Sequence, residues 1–247
     1  MSTNPGGVAV VIPAKDEADR IAATITSIQG VAGVDLVVVV DDGSRDATAT
    51  IATSAGAVVV RHARNRGKSA ALASGARRVA EEDRAAGLVA ARPMLFVDAD
   101  LEDSAAKLAP LVPPVVLGQA DLTIANLPRQ HTPGGGRGRV VRLAQRGIRG
   151  LTGYRAVQPL SGQRCITRAA FEAATPLARG WGVEVGMTVD VLNAGLTVTE
   201  IPCDVQHRVT GSDWRAKAHR AAQLRDVALA LAVRAARSRA QRTTPRD

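Results

Sequence analysis

The stretch MLFVDAD at residues 94–100 gives the first indication of both the fold and the chemistry of this 247-residue chain. Its apolar part, residues 94–97, is typical of a buried β-strand. Asp98, Ala99 and Asp100 follow directly, so two carboxylates stand at the end of that strand. Mg²⁺ prefers oxygen ligands and usually takes one or two carboxylates together with substrate phosphates. A turn with a helix cap uses the same residue types, so the position of the triplet in the fold has to decide.

Three more apolar runs come before this strand, and a helix-like pattern follows each of them. The runs and the helical segments are residues 8–12, 19–28, 36–40, 46–55, 57–60 and 69–82. An alternation with a period of roughly thirty residues predicts an α/β fold with a mostly parallel central sheet flanked by helices. Ligands of such sheets bind beyond the carboxyl ends of the strands. Because the polar residues 13–17, 41–44 and 98–103 all stand at strand ends, we expect them to meet in one site.

Two of the polar segments suggest how a nucleotide could be held. Asp41 ends the second predicted strand, and its carboxylate can accept a hydrogen bond from a base N–H or a ribose hydroxyl. The sequence GKS at residues 67–69 resembles the end of a P-loop, but His62 stands where that motif requires glycine. Lys68 still precedes a predicted helix together with two arginines, and such a helix start favours a bound phosphate.

Two residues of the second half carry side chains suited to catalysis or to metal binding. Glu184 stands between glycines in GWGVEVG, where it could begin a helix, bind an acceptor or accept a proton. His207 lies in a polar loop, where an imidazole is either solvated or completes a metal shell.

The charge of the chain indicates an anionic partner. The net charge is +9, and the arginines are concentrated from Arg129 onward. Such an excess favours phosphorylated substrates, nucleic acid or an anionic membrane surface. Aromatic residues make up only 2%, which argues against stacking on single-stranded nucleic acid. Residues 213–239 predict one long basic helix, with Leu224, Val227, Ala228 and Leu231 as its apolar stripe, and this helix either packs on the core or lies on a membrane surface.

The cysteines and the apolar runs bear on location. Cys165 and Cys203 lack the spacing of a zinc site or a disulfide framework, so a reduced cytoplasmic setting is the simplest interpretation. Residues 1–7 have no signal-peptide pattern, and no apolar run approaches the roughly 18 residues of a membrane span. We expect a cytoplasmic protein, with peripheral contact at the inner face of the membrane and a homodimer as further options.

Five stretches then identify a family, because they occur together and in a fixed order. They are VAVVIPAKDE, VVVVDDGSRDAT, RNRGKSAALASG, LFVDADLED and LSGQR. Over residues 8–210 the chain resembles glycosyltransferase family 2 on the Rossmann-like GT-A fold. The resemblance implies a hexosyltransferase that uses a nucleotide-diphosphate sugar donor and Mg²⁺ or Mn²⁺.

The resemblance also implies roles for residues of the first half. Pro13, Ala14 and Glu17 would line the nucleoside pocket. Asp41 would contact the base or the ribose, and Lys68 would lie near the base or the diphosphate.

Its implications continue around the acidic triplet. Asp98 and Ala99 would lie beside the ribose of the nucleotide-sugar, and Asp100 would bind the metal directly with Asp98. In one branch of the family a histidine that matches His207 helps to hold the metal. Arg164 would face the sugar and phosphate groups and belong, with Asp100 and Glu184, to the catalytic residues.

The acceptor stays open between two branches of the family. DADLED and LSGQR are similar to the polyprenyl-phosphate (dolichyl-phosphate) sugar transferases, so a polyprenyl phosphate is the first expectation, with UDP-glucose or GDP-mannose as donor. GWGVEVGMTVD is similar to glucosyl-3-phosphoglycerate synthases, whose acceptor is 3-phosphoglycerate. A nucleotidyltransferase is a third possibility, but residues 13–17 lack the glycine-rich loop that such enzymes commonly carry after the first strand.

These interpretations divide the chain into four parts. We expect a disordered N-terminus at 1–7, a nucleotide-sugar-binding half at 8–126, an acceptor-binding half at 127–212, and a basic amphipathic helix with a tail at 213–247.

Overall fold

The computed structural model describes residues 7–128, 138–205 and 214–243, and in the last range the side chains of 221–239. The strands are β1 (Val8–Ala14), β2 (Val34–Asp41), β3 (Val58–Arg61), β4 (Met94–Phe96), β5 (Leu122–Asn126), β6 (Arg164–Ile166) and β7 (Val198–Pro202). The helices are α1 (Ile21–Gln29), α2 (Thr48–Ser54), α3 (Lys68–Ala85), α4 (Val112–Val116), α5 (Arg139–Thr152), α6 (Arg168–Ala173), α7 (Val183–Asn193) and α8 (Trp214–Thr243). Two 3₁₀ segments lie at Glu102–Leu111 and Gly180–Gly182.

One seven-stranded sheet has the order β3-β2-β1-β4-β6-β5-β7. Strand β1 runs parallel to β2 and β4, β2 runs parallel to β3, and β5 runs parallel to β7. The runs of buried valine in β1 and β2 fit strands that are covered on both faces. The predicted α/β fold with a mostly parallel sheet is therefore confirmed.

Strand β6 differs from its neighbours, because it pairs antiparallel with both β4 and β5. The start of an antiparallel strand lies at the same edge as the carboxyl ends of the parallel ones. The segment that leads into β6, residues 161–163, therefore reaches the edge at which β4 ends. Sequence analysis did not predict this strand, since only three residues form it.

Helices cover both faces of the sheet. One face packs against α1 and the 3₁₀ segment that follows β4, through buried residues such as Ile25 and Leu108. The other face packs against α3, α6 and α7, through residues such as Leu72 and Met187. A methyl group on Gly75 of α3 would collide with Val11, which shows how closely α3 approaches the sheet.

Helix α8 packs on α5 and α7 rather than standing apart. Among residues 221–239, its buried side chains are Val227, Ala230, Leu231 and Arg234. The predicted stripe is wrong at Leu224 and Ala228, which are exposed, because the buried face is rotated toward Ala230 and Arg234. Within the ranges that the structure describes, no helix is long and apolar enough to cross a membrane.

Candidate active site

The carboxyl ends of the parallel strands open into a large cavity. It has a volume of about 890 Å³ and is lined by segments that follow β1, β2 and β3. Its polar lining includes Lys15, Asp16, Asp41, Arg61 and Asn65. A cavity of this size matches the usual volume of small-ligand sites, and its place at the strand ends agrees with the sequence prediction.

Asp41 is the residue of the acidic turn that faces this cavity. Its side chain is almost fully buried, and Oδ1 accepts a hydrogen bond of 2.9 Å from the backbone N–H of Ser44. Oδ2 lies 3.4 Å from Nε of Arg61. These contacts fix the carboxylate at the base of the cavity.

The residues predicted for the nucleoside pocket in the first loop take other positions. Pro13, Ala14 and Glu17 do not line the cavity, whereas Lys15 and Asp16 do. Ala14 is buried inside the sheet, and the carboxylate of Glu17 accepts a hydrogen bond of 2.9 Å from Nε of Arg20. In this cavity the first loop is thus represented by Lys15 and Asp16, and a nucleoside contact of Pro13, Ala14 or Glu17 stays a prediction.

Lys68 links two carboxylates that come from different halves of the chain. Its Nζ lies 2.8 Å from Oδ1 of Asp98 and 3.1 Å from Oε1 of Glu184. Burial would lower the pKa of Lys68, but the negative charges of Asp98 and Glu184 outweigh it and raise that pKa above its ordinary value. Lys68 is therefore a cation throughout the physiological pH range.

The SGQR segment covers this ion pair. Gln163 is fully buried, and its Oε1 accepts a hydrogen bond of 3.0 Å from the backbone N–H of Asp98. Its Nε2 donates a hydrogen bond of 2.6 Å to Oδ2 of Asp98. A Cβ atom on Gly162 would lie only 2.5 Å from Nζ of Lys68. Gln163 thus holds the Asp98 carboxylate in place while Gly162 leaves room for the lysine.

The two carboxylates of the acidic triplet differ in their hydrogen bonding. Both oxygens of Asp98 have partners, whereas the carboxylate of Asp100 accepts no hydrogen bond from any residue that the structure describes. Between them, the carbonyl oxygen of Ala99 accepts a hydrogen bond of 2.9 Å from Thr24, and its side chain is buried. The methyl group of Ala99 is therefore part of the hydrophobic core, and its contact with a nucleotide stays a prediction.

This donor set suits an ion that takes most of its ligands from a substrate. The structure shows no cluster of three or more His, Cys, Asp or Glu side chains suited to a metal within the part of the chain it describes. Two carboxylates plus phosphate oxygens are nevertheless a usual set for Mg²⁺. His207, the third predicted metal ligand, lies outside the described residues.

A known family matches the larger part of the chain. Residues 9–172, more than half of its length, match the family model described as glycosyl transferase family 2. The chain belongs to glycosyl transferase family 2.

Two curated proteins are similar to most of this chain. Identity is 28% with glycosyltransferase AglJ of Haloferax volcanii, over 85% of this chain and 66% of that protein. It is 32% with glucosyl-3-phosphoglycerate synthase of Mycolicibacterium paratuberculosis, over 75% of this chain and 60% of that protein. The chain thus spans two thirds or less of the length of these two relatives.

A solved structure supports the predicted GT-A fold. It is glucosyl-3-phosphoglycerate synthase from Mycobacterium tuberculosis in complex with Mn²⁺, UDP and phosphoglyceric acid. The TM-score is 0.72 at 26% identity, over 92% of this chain and 78% of that one. The same enzyme has also been solved with Mg²⁺ and UDP, with a TM-score of 0.70 at 27% identity, over 92% of this chain and 79% of that one.

In this family 2 chain, Arg164 lies beneath the site instead of facing a substrate. It is only 1% exposed, and its guanidinium donates to the carbonyl oxygens of Ser161, Pro159 and Glu184 and to Oγ1 of Thr188. Burial lowers the pKa of Arg164 to about 10, so it keeps its charge at neutral pH. Its donors are directed into the protein, which argues against the predicted contact with sugar and phosphate groups.

Sequence reasoning missed three residues of the site in this family 2 chain. Gln163 and Gly162 were part of a recognised motif, but nothing in the sequence tied them to Asp98 or Lys68. Asp42 was treated only as part of a turn, although it organises the loop before α3. The signal that could have found Asp42 is its position directly after a buried strand, beside Asp41.

Proposed function

We propose that this chain is a metal-dependent glycosyltransferase that moves a hexose from a UDP-sugar to a phosphate-bearing acceptor. The arrangement of Lys68 between Asp98 and Glu184, at the strand edge that also carries the large cavity, is the observation on which this proposal rests. Family membership argues against the nucleotidyltransferase alternative.

The large cavity is the proposed site of the nucleoside. Asp41 would accept a hydrogen bond from the base or the ribose, since a carboxylate only accepts. Lys15, Arg61 and Arg64 give the same cavity positive charge that suits a diphosphate. UDP is favoured over GDP as the carrier, because the similar solved structures hold UDP.

Mg²⁺ or Mn²⁺ is the proposed cofactor, held by Asp100 and Asp98. Such an ion would neutralise charge on the diphosphate leaving group. Gln163 and Lys68 keep Asp98 oriented at this position, and Asp100 presents a carboxylate without a hydrogen-bond partner among the described residues. A contribution from His207 stays a prediction.

Glu184 is the proposed acid–base residue for an acceptor that reacts through a hydroxyl group. It lies in the first turn of α7, and Oε2 accepts no hydrogen bond from the residues that the structure describes, whereas Oε1 contacts Lys68. A free carboxylate oxygen beside a cation can accept a hydroxyl proton. Arg164 would act on this step as a positioning residue, because it binds the backbone of Glu184.

The acceptor that we propose first is 3-phosphoglycerate or a closely similar phosphorylated acid. Relatives named for that reaction are 32% and 30% identical to this chain, and phosphoglyceric acid is bound in a similar solved structure. This order reverses the expectation from the sequence, in which polyprenyl phosphate came first.

Polyprenyl phosphate is the second candidate acceptor, and the outer face of α8 favours it. Leu229 and Val233 are 61% and 39% exposed on this helix. Arg225 and Arg237, which are exposed as well, lie four residues before and four residues after this pair, so all four side chains share one face. Apolar side chains among arginines suit the surface of an anionic membrane. Peripheral membrane contact, a cytoplasmic location and a homodimer stay predictions.

A donor and acceptor screen tests the proposal. UDP-glucose or GDP-mannose is incubated with 3-phosphoglycerate or a polyprenyl phosphate, and the released nucleotide is measured with Mn²⁺ and with EDTA. We expect release from UDP-glucose with 3-phosphoglycerate and Mn²⁺, loss of release with EDTA or in Asp100→Asn, and normal release in the control Asp103→Asn. A chain that is folded but inactive with all four pairs would refute the proposal.

A further inference from the structure

Asp42 lies beneath the loop that carries Lys68 and holds the backbone of that loop. Its Oδ1 accepts a hydrogen bond of 2.8 Å from the N–H of Arg66, and its Oδ2 accepts one of 2.7 Å from the N–H of Gly67. Asp42 is 5% exposed, so both bonds are shielded from water. Hydrogen bonds to a buried carboxylate are stronger than neutral ones. The turn before Lys68 is therefore fixed by a side chain from the end of β2.

His62 gives Asp42 a third bond and connects it to α3. Its Nδ1 lies 2.7 Å from Oδ1 of Asp42, and its Nε2 lies 2.9 Å from Oγ of Ser74. Because a carboxylate only accepts, Nδ1 carries the hydrogen, and in the neutral ring Nε2 accepts the hydroxyl hydrogen of Ser74. All three side chains are buried. Asp42, His62 and Ser74 thus form one hydrogen-bonded chain from β2 to α3.

The turn after β2 also packs directly on the same loop. A Cβ atom on Gly43 would lie 2.6 Å from the backbone carbon of Arg64 and 2.7 Å from the backbone nitrogen of Asn65. Gly67 has a φ of 86°, which places a left-handed residue directly before the helix that starts at Lys68. The direction in which Lys68 leaves the loop therefore depends on the contacts that Asp42 and Gly43 make.

We propose that Asp42 and His62 are positioning residues, which fix the Arg66–Gly67 turn and so hold Lys68 within reach of Asp98 and Glu184. The value of that placement for donor binding rests on the proposed function. The positioning itself does not rest on the proposed function, because it concerns only the backbone conformation of the loop.

Hydrogen exchange in the unliganded wild-type chain tests the positioning without any substrate. The N–H groups of Arg64 and Asn65 donate no hydrogen bond to residues that the structure describes. The N–H of Arg66 donates to Asp42, and that of Gly67 donates to Asp42 and also to Oδ1 of Asn65, so Arg66 reports on Asp42 alone. We expect the Arg66 and Gly67 amides to exchange at least about tenfold more slowly than those of Arg64 and Asn65, measured by NMR. Equal rates would overturn the proposal.

Two variants of His62 separate the bond to Asp42 from the bond to Ser74. The amide nitrogen of asparagine can donate to Asp42 in place of Nδ1, whereas the amide oxygen of glutamine can accept the hydroxyl hydrogen of Ser74 in place of Nε2. We expect His62→Gln to speed exchange at Arg66 and Gly67 and to weaken the affinity for UDP with Mn²⁺ by about tenfold, while His62→Asn stays within about threefold of wild type. Exchange that is the same in both variants, with both folded, would refute the role of the Asp42 bond.

The two readouts also distinguish this inference from the proposed function. A wild-type chain that fails to bind UDP with Mn²⁺ but shows slow exchange at Arg66 and Gly67 contradicts the proposed donor site and supports the positioning. A chain that binds UDP but shows fast exchange at both amides keeps the donor site and overturns the positioning.

Discussion

Nζ of Lys68 lies 2.8 Å from Oδ1 of Asp98, and the backbone of Gly162 covers this ion pair. The lysine begins α3, the aspartate follows β4, and the glycine precedes β6. Three segments that are distant in the sequence therefore contact one another at this ion pair. A change at any of them is expected to act on the same place, and the most direct one is at the glycine.

Gly162→Ala should disturb the site without unfolding the chain. The new methyl group would stand 2.5 Å from Nζ of Lys68 and 3.2 Å from both carboxylate oxygens of Asp98, so the ion pair has to shift. We expect nucleotide release in the transferase assay to fall at least about tenfold, as for misplacement of a positioned group, with little change in Tm.

Gly150→Ala is the matched control for that variant. Gly150 lies inside α5, and no atom outside its neighbourhood in the helix comes within 4 Å of a Cβ atom there. We expect normal activity and a gain of about 0.5–1 kcal/mol in the free energy of unfolding. A Gly162→Ala chain as active as this control would contradict the close packing at the ion pair.

Arg164→Lys should destabilise the chain, although it keeps the charge. The guanidinium satisfies four acceptors of a buried site, and a single ammonium group cannot span them. A buried carbonyl left without a donor costs about 1–3 kcal/mol. Urea unfolding should show a loss of about 2 kcal/mol or more, whereas Arg155→Lys at an exposed position should stay within about 0.5 kcal/mol. A stable Arg164→Lys chain would indicate that Arg164 faces solvent or substrate.

Arg234 should contribute strongly to the attachment of α8 to α7. Its Nε lies 3.0 Å from Oδ2 of Asp190 and 3.1 Å from the carbonyl oxygen of Gly186, and the residue is 3% exposed. Arg234→Met leaves the Asp190 side chain, which is 14% exposed, without this partner, so we expect a loss of about 3 kcal/mol in the free energy of unfolding.

A double-mutant cycle checks the Arg234–Asp190 pair. Asp190→Asn combined with Arg234→Met should lose clearly less than the sum of the two single losses, by about 1–3 kcal/mol. Arg225→Met on the exposed face of α8 is the control, and it should change little because the Arg225 side chain lies largely in solvent and its ion pair with Asp226 is screened there. Strict additivity of the changes at Arg234 and Asp190 would show that the pair does not form in solution.

Neither cysteine should react with an alkylating reagent while the chain is folded. Both are free and buried, and burial raises the pKa of Cys165 to about 12 and that of Cys203 to about 11. Below those pKa values the thiol keeps its proton, and the thiolate is the reactive form. Iodoacetamide at pH 8, followed by mass spectrometry, should modify neither residue until guanidinium chloride unfolds the chain. Rapid labelling of the native protein would contradict the burial.

The sequence predicted the parallel part of the sheet well because its signal is local. The valine runs of β1 and β2 are buried on both faces, so their composition alone identifies them. The same holds for the acidic residues at the strand ends, since Asp41 and Asp98 both reach the edge where the site forms. These features can be predicted from the order of residues within a single segment.

Contacts between different segments could not be predicted from these local patterns. Arg164 looked like a ligand of an anion, because an arginine in a polar segment is usually exposed, and its burial depends on acceptors contributed by Pro159 and Glu184. The apolar face of α8 was misplaced at Ala228 for a similar reason. Small helical residues do not reveal which side meets a neighbour, and here α5 and α7 decide it.

The antiparallel strand β6 constrains how the chain can be made. Strands β4 and β5 are not neighbours, because β6 stands between them, and β7 is the other neighbour of β5. A growing chain that has left the ribosome as far as Asn126 therefore carries two strands with unpaired edges. Strands β4 and β5 can join one sheet only after the residues of β6, Arg164–Ile166, have emerged. The segments before and after Asn126 thus share one sheet, and the first of them cannot complete its strand pairing before the residues of β6 are present.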